Sequence, residues 1–276
     1  MDTANDHPQA SGNLLLPRQR WRTWRSTAAP FDLTHRPWLP PERAFAMWQV
    51  WHDLLFAHWP VPPEMLRPTI PAGLDLDLFA GQAWVGVVPF RMSGIRLRGQ
   101  PIAAPWVGAF PELNVRTYVT APGGDRPGVY FYSLDAANPV AVALARRWYH
   151  LPYFFARMSS RERAGWIEYD SWRAHPGAAR SRFRGRYRPI GEPFRAQPGS
   201  LEAWLTERYA LYTTDNAGRP LRGEIHHLPW PLQPAEAELH FHALTAQHGI
   251  ELPQTPPLLH FARRLDIVAW TIAPFS

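Results

Sequence analysis

Between Phe110 and Val119, apolar and polar side chains alternate. Leu113, Val115, Thr117 and Val119 form one row, and Glu112, Asn114, Arg116 and Tyr118 form the other. A period of two belongs to a β-strand whose two faces meet different surroundings. An acid, an amide and a guanidinium in line suit a polar lumen, and a solvated sheet face fits the same alternation. The chain then turns through 121–128, returns as the strand VYFYSLDA, and runs through the helix NPVAVALARRWYHL into the strand PYFFARM. Asn138 suits the helix N-cap and Pro139 its first position. Arg146 and Arg147 suit its negative C-terminal end, and Pro152 stops it.

The same patterns organise the rest of the chain. A strand is expected at 54–59, followed by a short helix that Pro62-Pro63-Glu64 opens and Pro68 ends. Segments 74–79 and 84–90 flank Ala80-Gly81 as a hairpin. The segment 92–98 leads to a Pro/Gly-rich loop at 99–108, a pocket border or a plain connector. Two further strands lie at 166–172 and 180–188. The second places Arg180, Arg182, Arg184, Arg186 and Arg188 on one face, as an anion-binding stripe or as an exposed face paired with Glu168 and Asp170. Ser200 suits the cap of a helix with Leu201, Trp204, Leu205 and Arg208 at helical spacing. A hairpin follows, 209–213 and 223–228, then an alternating strand at 236–244 and a last strand near 265–272.

Strands dominate, with about three helices, so the expected class is α+β on a curved, largely antiparallel sheet. Residues 1–41, rich in Pro, Ser, Thr and Arg, read as a partly disordered N-terminal tail that Trp21, Trp24 and Trp38 pin to the domain. Residues 42–276 read as a single domain, with no shift of composition and no repeat. No convincing signal peptide and no apolar run of about 20 residues is found, so no membrane is expected.

Composition narrows the chemistry. The 276 residues are 46% hydrophobic and include 14 Trp, which is a packed globular make-up. The absence of Cys removes disulfides, thiolate metal sites and a cysteine nucleophile, and fits a cytoplasmic location. The net charge is +6, and every one of the 29 Lys+Arg residues is arginine. A coding bias explains that better than a nucleic-acid partner, because no nucleic-acid motif accompanies it. There is no GxSxG elbow, a Walker A loop needs a lysine, and Gly123, Gly124 and Gly128 belong to a hairpin turn. On the alternating strand, Glu236, Glu238, His240 and His242 share a face. If that strand pairs with the one bearing Glu224 and His226, then Glu224, His226, His240 and His242 would form a weak Zn or Fe(II) candidate set. Exposed strand histidines fit equally well, and no fixed metal motif is present.

The run Arg146-Arg147-Trp148-Tyr149-His150-Leu151-Pro152-Tyr153 resembles the signature around the catalytic lysine of acetoacetate decarboxylase, Arg-Glu-x-x-Gly-aromatic-Pro-Lys. Arg146 falls on its Arg, Pro152 on its Pro and Tyr153 on its lysine, while Arg147, His150 and Leu151 depart from it. By the same resemblance, Glu112 falls on one of that family's active-site glutamates. From about Arg43 onward, the segments WHDLLFAHWPV, FAGQAWVGVVPFRM, FPELNVRTYV, LTERYALY and EIHHLPWPL resemble the YqjF-like family. Its members carry a domain of unknown function in the acetoacetate decarboxylase-like superfamily.

The resemblance implies a cone-shaped β-barrel enclosing a pocket. It does not bring the family's Schiff-base chemistry, which needs a neutral primary amine on a lysine. Arginine stays protonated and cannot replace it. Four residues along a strand hold the Cα atoms of Glu112 and Arg116 about 13 Å apart, so each, if buried, needs its own partner. Arg146 is the candidate for Glu112, and a ligand carboxylate for Arg116.

The expected function is therefore a pocket for a small organic acid or carbonyl compound. Glu112 and Tyr153 are the catalytic candidates, and Arg116, Asn114 and Arg146 the ligand-binding ones. A ligand sensor without turnover, or a structural protein whose pocket is filled by Tyr153 and Phe154, are the alternatives. No cofactor is called for, the expected partner is a small molecule, and a homo-oligomer is left open.

Overall fold

Two long strands, apolar on both faces, lie at the centre of the computed structural model, which describes residues 32–99 and 108–275. They are β1 (Met47–Val61) and β3 (Ala83–Leu97), with the two-residue β2 (Asp75–Leu76) between them in sequence. Next come β4 (Phe110–Thr120), β5 (Gly128–Ala136), β6 (Tyr153–Arg163), β7 (Trp166–Arg173) and β8 (Arg182–Pro189). Then follow β9 (Ala210–Thr214), β10 (Pro220–His226), β11 (Gln233–His242), β12 (Leu258–Ala269) and β13 (Ala273–Pro274). The α-helices are α1 (Pro63–Leu66), α2 (Pro139–Tyr149) and α3 (Leu201–Thr206).

Nine strands, in the order β1-β3-β4-β5-β6-β7-β8-β11-β12, close into a mixed barrel. All neighbours in it are antiparallel except β5 and β6, joined in parallel at Leu134–Tyr153 through Ala136–Phe155. The other end of β5 pairs in parallel with β9, and the far end of β12 pairs with β10. Strands β9 and β10 thus link β5 to β12 by a second route. Strands β1, β3 and β4, shared by both closed circuits, face an interior on each side.

That topology explains their composition, because a strand covered on both faces cannot afford a solvated row. Leu55, Ala57, Val85, Val87, Leu113 and Val115 pack in one core with Tyr169, Phe183 and Tyr187. Their neighbours Leu54, Phe56, Val88 and Phe90 point the other way, into a second core with Val142, Trp230 and Leu232.

The read helices form with the expected caps. Asn138 Oδ1 accepts from the Ala141 N–H (2.9 Å), and Ser200 Oγ from the Ala203 N–H (3.2 Å). The 74–79/84–90 hairpin does not form as read. The turn is present, with positive φ at Ala80 and Gly81 and a bridge from Phe79 to Gln82. However, β2 pairs with β4 at Thr120 and Val119, because β3 already has β1 and β4 as its two neighbours. The loop read at 99–108 lies, except at its ends, outside the described residues, as do residues 1–31 of the tail with Trp21 and Trp24. Trp38 is described, and its indole N–H donates to Glu224 Oε2 at 3.1 Å. Among the described residues no helix is long and apolar enough to cross a membrane.

Candidate functional site

The polar row of β4 lies inside the protein. Glu112, Asn114 and Arg116 are 2%, 5% and 7% exposed, and Tyr118 is fully buried. In register they lie beside Phe90, Val88 and Gly86 of β3 and beside Ala136, Leu134 and Phe131 of β5. Gly86 suits this packing. A Cβ there would sit 3.0 and 3.1 Å from the His58 ring and 3.4 Å from Arg116 Cγ, so the two side chains would have to give by a few tenths of an ångström.

At one end of the row the Tyr153 hydroxyl donates to Glu112 Oε2 at 3.1 Å. The parallel β5–β6 pairing brings these residues together, since it sets Tyr153 beside Leu134 and Glu112 lies opposite Ala136. Burial pushes the Glu112 carboxyl up to about 8, and the Tyr153 hydrogen bond only partly opposes this. The group is therefore a neutral acid at pH 7, able to donate a proton. Burial and the adjacent Glu112 hold the Tyr153 hydroxyl well above the usual phenol range.

At the other end stands a short chain of hydrogen bonds. His58 Nε2 lies 2.6 Å from the Tyr118 hydroxyl, which lies 2.9 Å from the Leu205 carbonyl. The carbonyl can only accept, so Tyr118 donates to it and His58 Nε2 donates to Tyr118. His58 Nδ1 is then a bare acceptor, and it has no hydrogen-bond partner among the described residues. Burial first, then the charges of Arg116, His260 and Arg208, hold His58 well below the ordinary imidazole range, so it is neutral.

Arg116 lies between these ends with weak internal support. Its Nη2 is 3.4 Å from both the Tyr118 hydroxyl and the Leu205 carbonyl, and its guanidinium carbon is 5.3 Å from the centre of the Phe56 ring. Its Nε and Asn114 Oδ1 have no hydrogen-bond partner, and Arg116 has no ion-pair partner, among the described residues. The nearby Arg208 is different, because its Nη1 binds Asp77 Oδ2 at 2.5 Å. With Glu112 neutral, no carboxylate among the described residues pairs with the Arg116 charge.

The structure brings Glu112, Asn114, Arg116 and Tyr153 to one interior face, but not Arg146. Arg146 is exposed, donates from Nη1 to the Tyr153 carbonyl at 2.7 Å and lies near the Phe154 ring. It does not serve as the partner of Glu112, because its guanidinium is exposed and given to the Tyr153 carbonyl while the Glu112 carboxyl is buried against the Tyr153 hydroxyl. The four-residue metal set does not assemble either. Strand β11, with His240 and His242, pairs with β8, whereas β10, with Glu224 and His226, pairs with β9. Glu224 instead accepts from Arg36, Arg126 and Trp38. Among the described residues no group of three or more His, Asp or Glu is placed to hold a metal.

Sequence reasoning missed His58, Tyr118 as a hydrogen-bond relay, and the Arg208–Asp77 pair. The available signal for His58 was a lone imidazole in the otherwise apolar run LLFAHW. On a strand covered on both faces, such a residue must be buried.

Three comparisons bear on this arrangement. Residues 48–266 match the DUF2071 family of uncharacterised conserved proteins. The chain is 47% identical over 236 residues to the uncharacterised protein YqjF of Bacillus subtilis (strain 168), covering 86% of this chain and 95% of that protein. Among solved structures, acetoacetate decarboxylase from Legionella pneumophila superposes with a TM-score of 0.59 at 14% identity, covering 90% of this chain and 94% of that one. The enduracididine biosynthesis enzyme MppR, complexed with pyruvate, superposes with a TM-score of 0.55 at 11% identity, covering 84% and 91%. These likenesses identify the fold as acetoacetate decarboxylase-like.

Proposed function

The chain belongs to the DUF2071 family, and from that premise we propose that it binds a small organic acid bearing a carbonyl group along the polar row of β4. The observation that carries this reading is Arg116, a buried guanidinium with no ion-pair partner among the described residues. An uncompensated buried charge costs several kcal/mol, and a ligand carboxylate removes that cost through charge-assisted hydrogen bonds. Glu112, protonated below about pH 8, and the Tyr153 hydroxyl then lie along the same face toward the carbonyl end. Glu112 can hand its proton to a carbonyl oxygen and take it back, and Asn114 lies between the two ends to orient the ligand. That a protein of the same fold holds pyruvate supports the class of ligand.

Schiff-base decarboxylation is not part of the proposal. The 276 residues contain no lysine, and Tyr153 stands where the decarboxylase signature has one. The fold carries over and that chemistry does not.

A thermal-shift panel of small keto, hydroxy and acyl acids tests the reading on wild type, Arg116→Gln, Glu112→Gln and Tyr153→Phe. A ligand at one hundred times its dissociation constant adds about 2.7 kcal/mol of stability. For a domain of this size that is a rise of about 5–10 °C. The expected result is a hit lost in Arg116→Gln and weakened in the other two. A panel without hits, or a hit indifferent to Arg116→Gln, would refute the site. Product formation by a confirmed ligand distinguishes an enzyme from a sensor.

A further inference from the structure

Two hollows meet where α2 packs on the β5–β6 junction, and Glu112, Asn114, Arg116 and Tyr153 line neither of them. One, of about 620 Å³, is walled by Tyr130, Tyr132, Phe154, Thr213 and His248 among others. The other, of about 680 Å³, runs along α2 past Arg147, Phe155 and His175. Arg146, His150 and Asn216 line both, so the two form one cleft. Phe131 and Leu151 belong to the wall of the first hollow and also pack in the cluster of Tyr118 and Leu205, which places them between cleft and polar row.

The cleft walls contain no aspartate or glutamate. Neither Arg146 nor Arg147 has an ion-pair partner among the described residues. The C-terminal end of α2 offers about half a negative charge, so two guanidiniums leave the cleft positive. The hydrogen bond from Arg146 to the Tyr153 carbonyl fixes one guanidinium where the hollows join. His175 Nδ1 accepts from the Phe155 N–H at 3.1 Å, which puts the ring proton on Nε2 as a donor. His150 caps α2 at φ 50°, a left-handed conformation that favours glycine, so this imidazole is held against the preference of its backbone. At the wall, Gln247 Oε1 accepts from Arg173 Nη1 at 3.0 Å, while the buried Arg173 Nη2 and His248 Nε2 have no partner among the described residues.

We propose that this cleft is a second site, separate from the polar row, and that it takes the phosphate group of a small phosphorylated molecule. Its donors are the guanidiniums of α2 and side chains at 150, 175, 216 and 248, whereas the Thr213 hydroxyl is already given to the His150 carbonyl. Donors arriving from several directions match a tetrahedral dianion with three acceptor oxygens better than a planar carboxylate. Tyr130 and Phe154 supply flat apolar surface for the organic part.

The test is a titration with inorganic phosphate, followed by ³¹P line broadening and by the histidine imidazole resonances. Saturable binding is expected, with the His150 and His175 signals moving and that of His58 still. Arg147→Gln, an exposed change that breaks no bond of the fold, should weaken binding at least threefold, and the double variant Arg146→Gln/Arg147→Gln at least tenfold. Absence of saturable binding would overturn the proposal, as would full binding by Arg147→Gln and the double variant. Movement of His58 instead of His150 and His175 would place the anion in the polar row and overturn it too.

Discussion

Two strands of this protein carry polar rows at every second position, and they meet opposite fates. On β4 the row of Glu112, Asn114 and Arg116 is buried, and its one charge at neutral pH lacks an ion pair among the described residues. On β8 the row of Arg182, Arg184, Arg186 and Arg188 faces outward while Phe183 and Tyr187 fill the core. Three of its four charges are answered, from both neighbours. Arg186 binds Glu238 at 2.6 Å, Arg188 binds Glu236, and Arg182 binds Asp170 at 3.1 Å. Alternation therefore says which residues share a face, and the adjoining strands say whether that face is covered. Beside its polar row β4 meets Phe90, Val88 and Gly86 of β3 and Ala136, Leu134 and Phe131 of β5, none of them charged, whereas β8 lies between β7 and β11, whose outward rows carry acids.

If burial rather than charge sets the energetics, one exchange should behave differently in the two settings. Arg173, on the interior side of β7, binds Asp135 at 2.7 Å with both side chains almost fully buried. Arg173→Met should destabilise the fold by about 3–5 kcal/mol at pH 8, read by urea denaturation, because it strands a buried carboxylate. Burial already raises Asp135 to about 6, with Arg173 opposing. Without Arg173 the carboxyl rises further, so the loss should shrink when the measurement is repeated at pH 5. A loss below 1 kcal/mol at pH 8 would mean that the interior is wet and the contrast between the rows false.

A second prediction concerns the polar row alone. Glu112 holds a proton in the folded state up to about pH 8, whereas an unfolded glutamate loses it near 4.5. Between those values the native state binds more protons, so this group makes stability fall as pH rises. From pH 6.5 to 8 the fall should be about 1.5 kcal/mol, and Glu112→Gln should abolish it. The neutral amide should otherwise preserve the fold. A wild type and variant with parallel pH profiles would show that Glu112 is ionised and solvated.

Much of the fold was legible because its signals are local. The two rows of β4, α2 with its Asn138 cap, α3 with its Ser200 cap and the arginine face of β8 all rest on short-range spacing. The resemblance supplied the barrel. The full extent of β1 was not legible, because apolar residues on both faces of Met47–Val61 erase the period that marks a strand. The displaced partner of β2 and the separation of β10 from β11 depend on long-range register, which no local pattern encodes. The site divides in the same way. Glu112, Asn114 and Arg116 share a row by periodicity, and Tyr153 was identified through the signature. The position of Arg146 depends on which face of the β6 junction α2 packs against, and the contact of His58 with Tyr118 joins residues 60 positions apart.

The smallest expected effect is also the one that isolates the comparison. Arg186 and Glu238 form a two-pronged ion pair, with Nε–Oε2 at 2.8 Å and Nη2–Oε1 at 2.6 Å, and each side chain is about half exposed. In that position water screens the attraction and already solvates both groups, so the pair adds little to stability. Arg186→Met should therefore shift the urea midpoint far less than Arg173→Met, and 1 M salt should shrink the difference from wild type. The exchange also removes the stacking of Arg186 over Trp166, 4.7 Å from the ring centre, which salt does not screen. A salt-insensitive loss would assign the effect to that stacking. A loss as large as that of Arg173→Met would mean that the outer face of β8 is covered, and that the two polar rows differ less than their exposure implies.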